Sequence, residues 1–161
     1  MGSYFNPGNE GFTKSAKDKL YVDKTGLLNI TNDFLNAEKN CIALSHARRF
    51  GKSQAAGMID AFYSKGSDSR ELFENLAIGQ QPNWDENLNK FNVIHLDMST
   101  LAGDYKGDLI EHLKKEIYDD LAKYNGDIDY QQSIAKVMEA VYHASGIRIV
   151  FIIDEWDCII R

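Results

Sequence analysis

Cysteine, proline, long apolar runs and excess positive charge are all scarce in this sequence. The two cysteines, Cys41 and Cys158, sit in apolar stretches without metal-ligand spacing, so a buried reduced pair is expected rather than a disulfide or a zinc site. The two prolines fall in turn-forming stretches, Pro7 within Asn6–Gly11 and Pro82 within Gly79–Asn83. The longest apolar stretch, Ile147 to Ile153, is interrupted by Arg148 and is far too short to span a bilayer. The N-terminus has no basic segment followed by an apolar one, and Asn6 stands where a myristoylation signal needs serine or threonine. A cytoplasmic protein without membrane association is therefore expected. Eighteen basic against 24 acidic residues leave a formal charge of −6, which disfavours nucleic acid as the default partner. What is present is globular: 161 residues, 43% hydrophobic and 26% charged, a composition that excludes a disordered or low-complexity chain. A chain of this length buries about two thirds of its unfolded surface around one core.

Strands and helices alternate along the chain. The first dozen residues, rich in turn formers, are expected to be irregular, and residues 1–24 to form an N-terminal arm to a domain over 25–161. Leu27, Leu28, Ile30, Phe34 and Leu35 have helical spacing, with Asp23 or Thr25 available as a cap. Cys41 to Leu44 is a short apolar run without alternation, which predicts a central strand buried on both faces. Ala55, Met58, Ile59 and Phe62 mark a second helix, stopped by Gly66, and a short helix is predicted over Glu71 to Leu76. Phe91 to Met98 reads as a strand. Leu109, Leu113, Ile117 and Leu121 define a long helix from Asp104 to Tyr124, ahead of Gly126, and Ile134 to Tyr142 another, closed near Gly146. The β-branched run Ile147 to Ile153 predicts a third strand. This alternation predicts an α/β fold with a mostly parallel sheet covered on both faces, a three-layer arrangement.

Two places carry chemistry. Ser45 to Ser53 lies between a predicted strand and a predicted helix and ends in Gly51-Lys52-Ser53, the close of a phosphate-binding loop. Such a loop works because backbone N–H groups and a helix N-terminus converge on phosphate oxygens, while the lysine meets the β and γ phosphates and the hydroxyl binds magnesium. His46 stands where the first glycine of the usual pattern would fall. The bland alternative is an ordinary helix start with a solvated lysine. The second place is Asp154-Glu155, at the carboxyl end of a hydrophobic strand, where Asp154 can hold the magnesium shell and Glu155 can orient and deprotonate water. In a parallel sheet the carboxyl ends share one crevice, so Ser53 and Asp154 can serve one metal; solvated turn carboxylates are the alternative. Arg48 and Arg49 suit phosphate binding or surface ion pairing equally well. His46 is expected to pack in the loop and Trp156 to pack beneath the site, with Asp157 as a supporting group. His95, His112 and His143 have no nucleophile or ligand partners by spacing.

Asn6 to Phe12, Tyr21-Val22-Asp23-Lys24-Thr25, Arg48 to Ser53, Glu71-Leu72-Phe73 and Ile152 to Asp157 together resemble the predicted AAA-ATPase-like family of bacteria, over nearly the whole chain. The resemblance implies a P-loop ATPase in which arginine and proline usually stand at the positions of His46 and Ala47. It also implies that longer relatives continue into a nuclease-like domain of the restriction-endonuclease type.

The function expected is Mg-ATP binding with ATP hydrolysis: Arg49, Phe50, Gly51, Lys52, Ser53 and Gln54 at the nucleotide, Ser53 and Asp154 at magnesium, and Glu155 as base. The alternative is a P-loop-fold interaction module without catalysis, or a regulatory nucleotide-binding domain attached to a nuclease-like effector. No guanine-recognition pattern occurs, which leaves adenine as the default base. A glutamate directly after the magnesium aspartate resembles the P-loop division in which a later strand inserts between the loop strand and the aspartate strand. The segment is then expected to be an N-terminal portion of an ATPase core, with Arg161 a cut end. Its open strand edges would invite self-association or pairing with the missing C-terminal part. The rival arrangement pairs Cys41–Ser45 directly with Ile149–Ile153.

Overall fold

A computed structural model describes residues 2–45, 47, 49–103, 107–126 and 128–159. The chain divides into two compact units, one of Met1–Pro7 with Phe91–Arg161 and one of Gly8–Lys90. Seven α-helices and a two-stranded parallel sheet are present among the described residues, so the protein is α/β. None of these helices is long and apolar enough to cross a membrane.

The first unit is built on β1 (Asn92–Asp97) and β2 (Ile149–Asp154), paired in parallel from Asn92 opposite Ile149 to Asp97 opposite Asp154. Helices α5 (Met98–Gly103), α6 (Leu109–Asn125) and α7 (Ile134–Ser145) complete it. The periodic residues Ile117 and Leu121 of α6 and Val137, Met138 and Val141 of α7 pack with Ile94 and Leu96 of β1 in one buried cluster. Each long helix starts where its sequence permits. The Asp108 carboxylate accepts from the N–H groups of Ile110 and Glu111 at 3.0 and 3.3 Å, and Ser133 Oγ accepts from Lys136 N at 3.4 Å. A cap of this kind stabilises a helix by about 1 kcal/mol.

The turn-rich N-terminus has a defined task in this unit. Asn6 N donates to Val93 O and His95 N donates to Tyr4 O, so residues 4–6 run along the outer edge of β1 in an antiparallel bridge. The buried Asn6 side chain accepts from Val93 N at 2.7 Å and donates to Asn92 Oδ1 at 3.1 Å. Asp120 on α6 anchors the same segment: its buried carboxylate accepts from Tyr4 N at 2.6 Å and Phe5 N at 3.1 Å, and pairs with Lys123 at 2.7 Å.

Burial acts to raise the Asp120 carboxyl, but the hydrogen bonds from Lys123, Tyr4 and Phe5 outweigh it and hold the group below its ordinary 3.8. A carboxyl depressed on folding stabilises the native state in full above its unfolded value, and that contribution is lost as pH falls through the folded value. Asp120→Asn is therefore expected to cost about 1–3 kcal/mol near neutral pH, because a charged acceptor of buried N–H groups is weakened. It is also expected to flatten the loss of stability as pH falls below the ordinary carboxyl value of 3.8. Urea unfolding of both proteins across that range checks this; parallel pH curves would contradict it.

The second unit is helical: α1 (Glu10–Ala16), α2 (Leu27–Phe34), α3 (Lys52–Tyr63) and α4 (Arg70–Phe73). Phe12 of α1, Phe62 of α3 and Phe73 of α4 form its aromatic centre, with Phe73 stacked on Phe12 at 5.1 Å and edge-on to Phe62 at 5.2 Å. Asn89 closes the C-terminal end of α3 by donating to Ala61 O and Ser64 O and accepting from Ser69 N. Tyr63 lies buried at the same end, where its hydroxyl bonds with Thr31 and Asn32; burial pushes its pKa up to about 12.

Four expectations are corrected. Helix α1 begins at Glu10, inside the stretch expected to be irregular. Residues 41–44 are not a strand: Ile42 and Leu44 are 44% and 50% exposed, and no ladder joins this run to Ile149–Ile153 or to any other described segment. The physical reason is that a strand exists only through a partner's hydrogen bonds, and four apolar residues cannot make them alone. Cys41 is consequently exposed rather than buried, and both cysteines are free thiols. The sheet is not covered on both faces, since Phe151 and Ile153 of β2 are 49% and 54% exposed.

Candidate functional site

The phosphate-loop residues belong to the second unit and the strand-end carboxylates to the first. In the loop, Arg49 and Gly51 both take left-handed backbone conformations, with φ of 66° and 79°. Gly51 is the N-cap of α3, and its φ of 79° is one that favours glycine. Lys52 opens the helix and Ser53 and Gln54 follow in its exposed first turn. Among the described residues no side chain caps this N-terminus, and no acidic residue lies in the first turn. An uncapped first turn leaves N–H groups and the positive end of the helix dipole available to an anion, so the residues fit a phosphate. Phe50 is largely exposed, and its carbonyl accepts from Lys24 Nζ at 2.6 Å. His46 and Arg48 lie outside the described residues.

Lys24 is held by its neighbours Asp23 and Thr25. The Asp23 carboxylate accepts from Thr25 N at 2.8 Å and Thr25 Oγ1 at 2.7 Å through one oxygen, and from Ala77 N at 2.7 Å through the other. Fully buried Thr25 in turn accepts from Ile78 N at 3.1 Å. Asp23 and Thr25 were expected as alternative caps of α2; instead Gly26 is the N-cap, without a side-chain bond, and the pair ties residues 23–25 to 77–78. Partial burial tends to raise the Asp23 carboxyl, and the bonds from Thr25 and Ala77 N–H bring it below the usual range.

At the other half, Asp154 is the last residue of β2 and its Oδ1 accepts from Glu155 N at 2.9 Å. Glu155 has φ of 51°, a left-handed conformation uncommon for a long side chain and of the kind stored at functional sites at a cost of about 1–3 kcal/mol. The turn continues into a short 3-10 segment, Trp156–Ile159, with Cys158 N donating to Glu155 O. Trp156 does not pack beneath the site as expected: it is 61% exposed. Parallel register sets Asp97 opposite Asp154 at the same carboxyl end. Asp97, however, is engaged by Ser99 and Thr100 at the start of α5; these hydrogen bonds outweigh desolvation and lower its pKa. No group of three or more His, Cys, Asp or Glu side chains able to hold a metal occurs among the described residues. A surface cavity of about 390 Å³ on α6 and the following loop, lined by residues including Glu111, His112, Tyr118 and Tyr130, involves neither half.

Each taken by itself, the start of α3 has the chemistry of an anion site and the end of β2 carries a carboxylate pair. The chain matches the family described as Predicted AAA-ATPase over residues 8–161, and it belongs to that family. Membership points to a nucleotide-binding, ATPase-like function. No curated protein and no solved structure matches the chain.

Proposed function

We propose that this chain binds Mg-ATP through a P-loop fold and hydrolyses it. The observation that carries the reading is the start of α3: a left-handed Gly51 opening a 12-residue helix whose first turn holds no capping side chain and no carboxylate. Arg49, Phe50, Gly51 and Gln54 surround the polyphosphate, and Lys52 meets its β and γ phosphates. Ser53 would offer its hydroxyl and Asp154 its carboxylate to magnesium, and the ion would neutralise phosphate charge. Glu155 accepts the proton of the water that attacks the γ phosphorus as the bond to the bridging oxygen breaks.

Thermal or urea unfolding tests the binding. Mg-ATP at a hundredfold excess over its dissociation constant is expected to stabilise the protein by about 2.7 kcal/mol, and Lys52→Ala is expected to abolish the gain. A folded sample that ignores millimolar Mg-ATP would refute the reading and favour an interaction module.

A further inference from the structure

We infer that Lys24 is a positioning residue of the phosphate loop: its ammonium latches the Phe50 carbonyl, holds the peptide that leads into the left-handed Gly51 at the start of α3, and thereby sets affinity for a nucleotide polyphosphate. The affinity half of this inference rests on the Mg-ATP reading above; the latch itself does not.

Three observations carry it. The bond from Lys24 Nζ to Phe50 O is short, 2.6 Å, and charge-assisted, and it spans 26 residues of sequence. It acts on the peptide immediately before Gly51, where φ is 79°, and Nζ lies so close to Gly51 that a Cβ there would meet it at 2.8 Å. Gln54 Oε1 lies 3.1 Å from that same point, so the ammonium sits at the mouth of the first turn of α3 rather than on a remote surface. The backbone that presents it is also fixed, since Asp23 and buried Thr25 on either side are bound to Ala77 N and Ile78 N. A flexible lysine stem anchored at a rigid base and joined to a loop carbonyl is a tether. An ammonium has three donors, and among the described residues the Phe50 carbonyl is its hydrogen-bond acceptor. Its positive charge therefore lies beside Gly51, at the start of the helix whose first residue is Lys52.

The tether removes conformations in which the loop cannot bind, and the affinity gained is the fraction of competent loop it preserves. Lys24→Met keeps the stem and deletes the donors; Lys24→Arg keeps charge and donors. In nucleotide-free protein, backbone ¹⁵N order parameters at Phe50 and Gly51 are expected near about 0.85 in the unaltered protein and below about 0.6 in Lys24→Met. Lys24→Arg is expected to recover most of that order, with urea midpoints unchanged throughout. Calorimetric titration with Mg-ATP is expected to show about tenfold weaker binding for Lys24→Met. Unchanged order parameters in Lys24→Met would overturn the latch. So would a lowered urea midpoint with order lost throughout Gly8–Lys90, which would mark a general structural contact. Loss of loop order with undiminished Mg-ATP affinity would overturn the nucleotide half. A chain that binds no Mg-ATP at all would instead refute the proposed function, leaving the order parameters to decide the latch. If Lys24→Met does not fold, Lys24→Gln carries the same comparison.

Discussion

Replacing Glu155 by glutamine is expected to leave Mg-ATP binding intact and to lower turnover by about 10²- to 10⁴-fold, the range a positioned general base supplies. The substitution is nearly isosteric, and it removes the proton acceptor without touching the phosphate loop. It also keeps the backbone as it is: Glu155 N donates to Asp154 Oδ1, and glutamine has the same N–H. The left-handed φ of 51° costs no more with glutamine than with glutamate, so the strained turn after β2 is preserved. Steady-state hydrolysis and calorimetric titration on the same preparations separate the two effects. Undiminished turnover in the variant would show that another group takes the proton.

The second large effect lies in the aromatic core of the helical unit. Phe73→Ala is expected to destabilise the protein by about 3–5 kcal/mol, the transfer term plus the cavity that remains when a buried phenyl ring is removed. Phe73 is fully buried and touches rings from two other helices, Phe12 of α1 and Phe62 of α3. Collapse cannot fill the space cheaply because each neighbour is fixed by its own helix. Since α3 carries Lys52 to Gln54 at its opposite end, the loss is expected to weaken Mg-ATP binding as well as stability. Urea unfolding followed by circular dichroism measures the first. A change below about 1 kcal/mol would mean that the ring is not the keystone this packing implies.

How much of this was legible beforehand depends on how local each feature is. Ile117 and Leu121 of α6, Val137 and Val141 of α7 and the β-branched run of β2 carry their periodicity within a few residues, so those elements follow from pattern alone. The same is true of the helix that starts at Lys52 after Gly51. Residues 41–44 show the opposite: their composition favours a buried strand, yet pairing is a property of two segments, and no described segment pairs with them. Exposure of Phe151, Ile153 and Trp156 was equally hidden, because burial depends on what covers a face and not on the residue that occupies it.

The amino-acid order by itself determined the α/β class, the helix start at the phosphate loop and the Asp154-Glu155 strand end, because each is written in contiguous residues with a local physical cause. Only the tertiary structure decided that Lys24 reaches the Phe50 carbonyl, that Asp23 and Thr25 brace it from residues 77–78, and that Asp120 holds the N-terminal strand segment against β1. Those bonds join groups 26 to 116 residues apart. Hydrogen bonding is short-ranged and directional, so such partners become readable only after the hydrophobic faces have packed and set the distances between them.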